Sequence, residues 1–183
     1  MVARAAGTLP GVRTSWPEPV ERVAAFLRKA GAEARLEEFE SGTPTARAAA
    51  EAAGCSLDQI VKSIVVLVDD RFVLALVPGD RQADVAKIAR AAGAEAGRVA
   101  RADEVEPATG FATGAVAPFP LPRTIERVFV EHTLLTHDLV WIGGGSPAHL
   151  VSIRPAELLR LSRAEPMDAV QEAAYHSAPR GDS

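Results

Sequence analysis

A lysine and a glycine–proline loop are the features of this sequence best suited to holding an anionic or carbonyl-bearing ligand. Lys62 lies where a strongly apolar stretch begins, and its ammonium can donate to a phosphate, a carboxylate or a polarised carbonyl. Gly110 and Gly114 precede Pro118, and closely spaced glycines allow backbone N–H groups to form a nest for an oxyanion or a phosphate. The plainer interpretations are a solvated lysine and a loop without a ligand.

The tripeptide Gly79-Asp80-Arg81 directly follows an apolar run and precedes an alanine-rich stretch. Arg81 has the planar fork that binds a phosphate through two parallel hydrogen bonds. Asp80 can hold that arginine, or it can cap a helix over residues 83–92. A simple turn between a strand and a helix remains the alternative interpretation.

A glycine run and a histidine form the last candidate group. Gly143, Gly144 and Gly145 can cradle a ligand, or they can form a turn between two strands. His149 follows four residues after the run, and histidine is the usual proton shuttle near neutral pH. A hydrogen-bonded structural histidine is the competing interpretation. The sequence has no G-x-G-x-x-G, G-x-x-x-x-G-K-[ST] or G-x-S-x-G pattern, so it predicts no dinucleotide, P-loop or serine hydrolase site.

Composition excludes several other classes of protein. The 183 residues favour one domain, and a formal charge of −4 argues against a protein held on nucleic acid by its overall charge. Cys55 is the single cysteine, which excludes an internal disulfide and a multi-cysteine zinc site. His132 and His137 have no third ligand at a recognisable spacing. Without an apolar run of membrane length or a signal sequence, we expect a soluble, cytoplasmic protein with no membrane partner.

The periodicity of the sequence predicts interleaved helices and strands. We expect an α+β single domain with a mixed, mainly antiparallel sheet flanked by helices over residues 16–172, between a flexible leader (1–15) and a flexible tail (173–183). Two apolar runs around Asp69-Asp70-Arg71 predict a central hairpin. The first predicted helix is capped by Ser15 and ends at Gly31. Four more helices are predicted over residues 44–53, 83–92, 101–107 and 155–162. The other predicted strands are 34–39, 127–132, 139–142 and 150–153.

The order of these motifs resembles the YbaK/ProX family, also called the prolyl-tRNA-synthetase-associated or aminoacyl-tRNA editing domain. The resemblance extends over about residues 20–172. It rests on the following segments in order: Thr45-Ala46 with the helix to Gly54, Gln59-Ile60-Val61-Lys62-Ser63, Pro78-Gly79-Asp80-Arg81, Thr109-Gly110, Gly114-Ala115-Val116-Ala117-Pro118-Phe119, Gly143-Gly144 and Pro155-Ala156-Glu157-Leu158-Leu159.

The resemblance implies a compact α+β fold and hydrolysis, in trans, of amino acids wrongly esterified to tRNA, without a metal or another cofactor. It implies that Lys62 anchors the 3′ end of the substrate and that Gly114 and Ala115 present backbone groups to the aminoacyl moiety. A hydroxyl of the terminal adenosine is expected to organise the attacking water. The further residues expected to bind substrate are Gly79, Asp80, Arg81, Thr109, Gly110, Val116, Ala117, Pro118, Gly143, Gly144 and His149.

The expected substrate is Ala-, Cys- or Ser-tRNA, with the proline tRNA body first, because errors on that tRNA are the family's commonest theme. The expected partner of the protein is the 3′-terminal aminoacyl-adenosine of the tRNA, and an aminoacyl-tRNA synthetase is a second expected partner. The acidic balance requires a local basic patch, for which Arg81, Lys87 and Arg90 are candidates. The alternatives are a non-catalytic module that binds a tRNA 3′ end or a synthetase, and a deacylase for a non-tRNA ester or a small-molecule binder.

Overall fold

The computed structural model describes residues 15–40 and 42–172 of the chain. The predicted tail, 173–183, and the predicted leader, apart from Ser15, lie outside the described residues.

A hairpin of two long apolar strands forms the centre of the fold. Strands β2 (Val61–Val68) and β3 (Arg71–Pro78) pair antiparallel, with Val61 opposite Pro78 and Val68 opposite Arg71. Alternate side chains enter two separate apolar clusters, one on each face of the hairpin. Both faces are covered, which explains why these strands are continuously apolar. The predicted hairpin is therefore confirmed.

Five strands form the larger sheet, in the order β4-β2-β3-β5-β8. Strand β4 (Gly97–Val99) pairs antiparallel with β2, whereas β5 (Ile125–Glu131) and β8 (Glu165–Met167) extend the sheet in parallel beyond β3. Strands β4 and β8 are only three residues long and were not predicted from the sequence.

Three antiparallel strands form the smaller sheet, in the order β1-β7-β6. They are β1 (Ala34–Glu38), β6 (Val140–Gly143) and β7 (His149–Ile153). A parallel bridge between Ile60 and Trp141 joins this sheet to the start of β2. The predicted α+β fold with mixed, mainly antiparallel pairing is confirmed, with the strands divided between two linked sheets.

Within residues 15–40 and 42–172, five α-helices pack around the sheets, and two of their expected caps were wrong. They are α1 (Glu18–Lys29), α2 (Ala46–Ala53), α3 (Val85–Ala91), α4 (Ala102–Thr109) and α5 (Pro155–Ser162). Ser15 does not cap α1, because the helix begins after Pro17 without a side-chain cap. Asp80 does not cap α3, because Asp84 accepts the backbone N–H of Lys87 at 3.0 Å. In the described ranges, no helix has both the length and the apolar character needed to cross a bilayer.

Gly143 allows the loop after α4 to lie directly against the end of β6. A Cβ atom added at this position would be 2.7 Å from the backbone oxygen of Val116. This is closer than side-chain carbons approach an oxygen, so any larger residue must displace the loop backbone. The absence of a side chain at Gly143 therefore fixes the separation between this loop and the small sheet.

We expect Gly143→Ala to lower the free energy of unfolding by about 1–3 kcal/mol, the usual cost of overpacking. Gly93→Ala is the control, because a Cβ there meets nothing within 4 Å and only the positive φ of 75° opposes it. Urea denaturation of both variants measures the two costs. Equal destabilisation by both substitutions would contradict the close contact at Gly143.

Candidate active site

A cleft of about 330 Å³ lies where the two sheets meet. Its walls come from the start of α2, the first half of β2, the loop after α4 and the connection between β6 and β7. The polar residues and glycines in its lining are Thr43, Thr45, Lys62, Ser63, Thr113, Gly114, Gly143, Ser146 and His149. The cleft thus brings together Lys62, Gly114, Val116, Gly143 and His149 from the residues predicted to bind substrate.

Lys62 is the second residue of β2, and its half-buried side chain reaches the turn that follows β3. The ammonium Nζ donates a hydrogen bond to the backbone carbonyl of Arg81. Burial lowers the pKa of Lys62 below its ordinary value, and the negative charge of Asp80 partly opposes that shift. The cation is therefore held at a defined place beside the cleft.

The Gly79-Asp80-Arg81 turn holds Lys62 and does not line the cleft. Its backbone is fixed by hydrogen bonds from Gly79 N–H to the Ile60 carbonyl at 2.7 Å and from Arg81 N–H to the Pro78 carbonyl at 3.2 Å. A Cβ on Gly79 would lie 2.4 Å from the backbone oxygen of Leu57, so the turn requires glycine there. The Arg81 guanidinium donates to the carbonyl of Gln171 at 3.3 Å.

The loop at Gly114 lies at the edge of the cleft, which Gly114 and Val116 line. Gly114 has a φ of 83°, a left-handed conformation that favours glycine. The N–H of Ala115 already donates to the Ala112 carbonyl at 3.0 Å. Among the described residues, the N–H groups of Gly114 and Val116 have no hydrogen-bond partner. These two amides are therefore the ones available to an oxygen atom of a ligand.

His149 lies in the lining of the cleft, and its imidazole is almost fully buried. Only 2% of the residue is exposed, its Nδ1 lies 2.7 Å from the Ser146 hydroxyl, and its ring meets Trp16 edge-on. Its Nε2 is buried and has no partner in the part of the chain that the structure describes. Burial lowers the pKa of His149, against the smaller effect of Glu38, so the imidazole is neutral at pH 7.

Several cleft residues were missed by the sequence analysis. Ser63 lies next to Lys62, and its hydroxyl is buried without a hydrogen-bond partner within the described residues. Ser146 orients the histidine, and Thr43 donates to the carbonyl of Pro147 at 2.9 Å. The positions of Ser63 beside the lysine and Ser146 beside the glycine run were the available signals. A lone hydroxyl residue, however, is too common for its position to predict a site.

The other residues predicted to bind substrate lie outside the lining of the cleft. They are Gly79, Asp80, Arg81, Thr109, Gly110, Ala115, Ala117, Pro118 and Gly144. Thr109 is fully buried, and its hydroxyl donates to the Val105 carbonyl at 2.8 Å. The Gly110 carbonyl accepts a hydrogen bond from Arg22 at 2.5 Å. These contacts fix the start of the loop that carries Gly114.

Comparison with known proteins connects this geometry to a family. The sequence model of the aminoacyl-tRNA editing domain matches residues 40–161. A proline–tRNA ligase of Maridesulfovibrio salexigens is 34% identical over 105 residues, which are 57% of this chain and 18% of the ligase. This chain spans less than a quarter of the length of the proline–tRNA ligases that it matches.

Two other similar proteins are matched over most of their length. The multifunctional Ser/Thr-tRNA deacylase ProXp-y of Escherichia coli is 28% identical over 149 residues, or 79% of this chain and 89% of that protein. The crystal structure of a candidate trans-editing enzyme for prolyl tRNA synthetase superposes with a TM-score of 0.80 at 33% identity. That superposition covers 86% of this chain and 100% of the other. The chain therefore belongs to the aminoacyl-tRNA editing domain family, as the order of its motifs predicted.

Proposed function

We propose that this protein hydrolyses, in trans, the ester bond of mischarged aminoacyl-tRNA. The observation that carries the proposal is that one cleft is lined by Lys62, by Gly114 and Val116, whose backbone amides have no partner among the described residues, and by the buried His149. The activities given for the Escherichia coli deacylase and the trans-editing enzyme support the same reaction. The setting we propose is the cytoplasm.

The chemistry requires few groups because an aminoacyl ester is already activated. Water adds to the ester carbonyl, and the resulting oxyanion accepts hydrogen bonds from the amides of Gly114 and Val116. The carbon–oxygen bond to the ribose then breaks, and the proton goes to the ribose oxygen, which releases a free amino acid and tRNA. Lys62 holds the 3′ end of the substrate so that the carbonyl lies at these amides. In this scheme, a hydroxyl of the terminal adenosine organises the water.

Alanine, cysteine and serine on the proline tRNA are the amino acids we propose as substrates. Size separates them poorly, because one methylene changes binding by only about 1–3 kcal/mol. The buried Ser63 hydroxyl and His149 Nε2 have no partners among the described residues, and both can bond a hydroxyl or a thiol. In this proposal a small rotation of the Ser63 and His149 side chains brings these atoms to a serine or cysteine side chain in the cleft, whereas alanine leaves them unpaired. We therefore expect serine and cysteine to be removed faster than alanine.

The tRNA body requires contacts beyond this cleft. Of the three basic residues in the proposed patch, Lys87 is paired with Asp168 at 2.6 Å, which leaves Arg81 and Arg90 as the less neutralised charges. Such a patch releases few counterions on binding, so its intrinsic affinity for tRNA is low. A synthetase that already holds the tRNA is the second partner we propose.

Hydrolysis of a panel of mischarged tRNAs tests the proposal. We expect the purified protein to release serine, cysteine or alanine from the proline tRNA, and Lys62→Ala to lower the rate about 100-fold or more, because the ester is no longer held at the amides. Lys29→Ala is the matched control, since it removes a lysine from the last turn of α1 and should leave the rate unchanged. Circular dichroism establishes that both variants are folded.

Three other results would contradict parts of the proposal, and two of them would point to a competing function. Gel-shift binding of tRNA without hydrolysis over hours would contradict the enzyme and favour a binding module. Hydrolysis of simple aminoacyl esters at the same rate as aminoacyl-tRNA would indicate a different ester as the substrate. Full activity of Lys62→Ala would contradict the role given to the lysine.

The buried His149 predicts a pH dependence of stability. The ordinary pKa of histidine is 6.5, and burial lowers the pKa of His149 in the folded chain. As the pH falls below that ordinary value, the unfolded chain binds a proton first, so the wild-type protein loses stability until the folded chain is protonated as well. We expect this acid-side loss to be smaller in His149→Gln, as measured by urea denaturation at several pH values. An identical pH dependence in both proteins would refute the buried neutral imidazole.

A further inference from the structure

A short segment near the end of the described chain lies against the residues that follow β3. We call this segment, residues 168–171, the C-terminal clasp. The backbone N–H of Asp84 donates to the Ala169 carbonyl at 2.8 Å, and the N–H of Gln171 donates to the Gln82 carbonyl at 2.9 Å. The two segments are thus paired through their backbones.

Side chains of Lys87 and Glu131 hold the first three residues of the clasp. Lys87 Nζ donates to the Asp168 carboxylate at 2.6 Å and to the Val170 carbonyl at 3.0 Å. Glu131, which is only 1% exposed, accepts the backbone N–H of Ala169 at 2.6 Å. A buried carboxylate on a backbone amide is a strong, charge-assisted contact. The clasp is therefore attached to α3 and to the end of β5.

Arg81, directly before the segment that pairs with the clasp, is the residue that holds Lys62. The Arg81 carbonyl accepts the hydrogen bond from Lys62, and the Arg81 guanidinium donates to the carbonyl of Gln171 in the clasp. The position of this carbonyl therefore depends on contacts from two sides, the hairpin and the clasp. The match to the family model ends at residue 161, so the clasp lies beyond the matched residues.

We propose that the C-terminal clasp is a positioning element for Lys62, which it acts on through the Arg81 carbonyl. The clasp fixes the segment after β3, that segment fixes the carbonyl, and the carbonyl holds the ammonium beside the cleft. The effect of the clasp on catalysis rests on the proposed function. Its effect on the mobility of the Lys62 side chain does not, because that mobility can be measured without a substrate.

Gln171→Pro is the most direct way to weaken the clasp, because proline has no N–H to donate to the Gln82 carbonyl. Gln171 is exposed, so the substitution does not disturb the core. Glu172→Pro is its matched control, since Glu172 is also exposed and has no hydrogen bond within the described residues. Lys87→Met is a second, milder perturbation that breaks the contacts to Asp168 and Val170. Arg160→Met is its control, because it breaks an exposed ion pair within α5, with Glu157 at 2.8 Å, that involves neither the clasp nor α3.

We expect Gln171→Pro and Lys87→Met to lower the single-turnover deacylation rate about tenfold, since small misplacements at a reacting centre are costly, and the two controls to retain it. In the Lys62→Ala background, neither substitution should lower the remaining rate further. A loss of equal size in that background would overturn the proposal, because it would show an effect that does not pass through Lys62.

A second measurement separates this proposal from the proposed function. Lys62 is one of three lysines, with Lys29 and Lys87, so selective ¹³Cε labelling resolves it by NMR. We expect the order parameter of its ε-methylene to fall in Gln171→Pro and to be unchanged in Glu172→Pro. Equal order parameters in the wild type and Gln171→Pro would overturn the positioning role, even if the protein hydrolyses no aminoacyl-tRNA.

Discussion

The hydrogen bond from the Lys62 ammonium to the Arg81 carbonyl is the contact on which the proposed site depends. A half-buried lysine at the start of an apolar strand loses solvation, and a fixed carbonyl with the nearby Asp80 charge compensates part of that loss. The carbonyl reaches this position because β2 and β3 pair in a register that returns the chain to the start of β2. Gly79 then allows the turn to pass close to Leu57.

The division of the strands into two sheets creates the cleft beside this lysine. The sheets touch at the Ile60–Trp141 bridge, and their separation leaves a space that the loop at Gly114 closes from one side. Gly143 lets that loop lie close to β6, where Gly114 and Val116 line the cleft, whereas a side chain at this position would keep the loop away. The amides, the cation and the imidazole therefore come from three separate parts of the chain.

The sequence predicted the long elements well because their patterns are dense and unambiguous. The central hairpin and the alanine-rich helix before Gly54 were predicted correctly, whereas β4 and β8 are too short to show a periodicity. The Arg81 region was recognised as important, but its use of a backbone carbonyl cannot be predicted from a side-chain type. The buried Ser63 hydroxyl was missed for a related reason, since burial without a partner is a property of the folded state alone.

Binding of a non-hydrolysable, amide-linked seryl-adenosine analogue, followed by ¹⁵N NMR, shows where on this protein the aminoacyl end of a tRNA is held. If the cleft binds the analogue, the largest ¹⁵N chemical-shift changes will occur at the backbone amides of Gly114 and Val116. The chemical shift of a His149 ring nitrogen will change as well. The Lys62→Ala protein should bind the analogue more weakly and show the same pattern at higher concentration. A second cavity, beside the small sheet, is lined by Arg35 and Arg154. Shift changes confined to that cavity would contradict binding in the cleft.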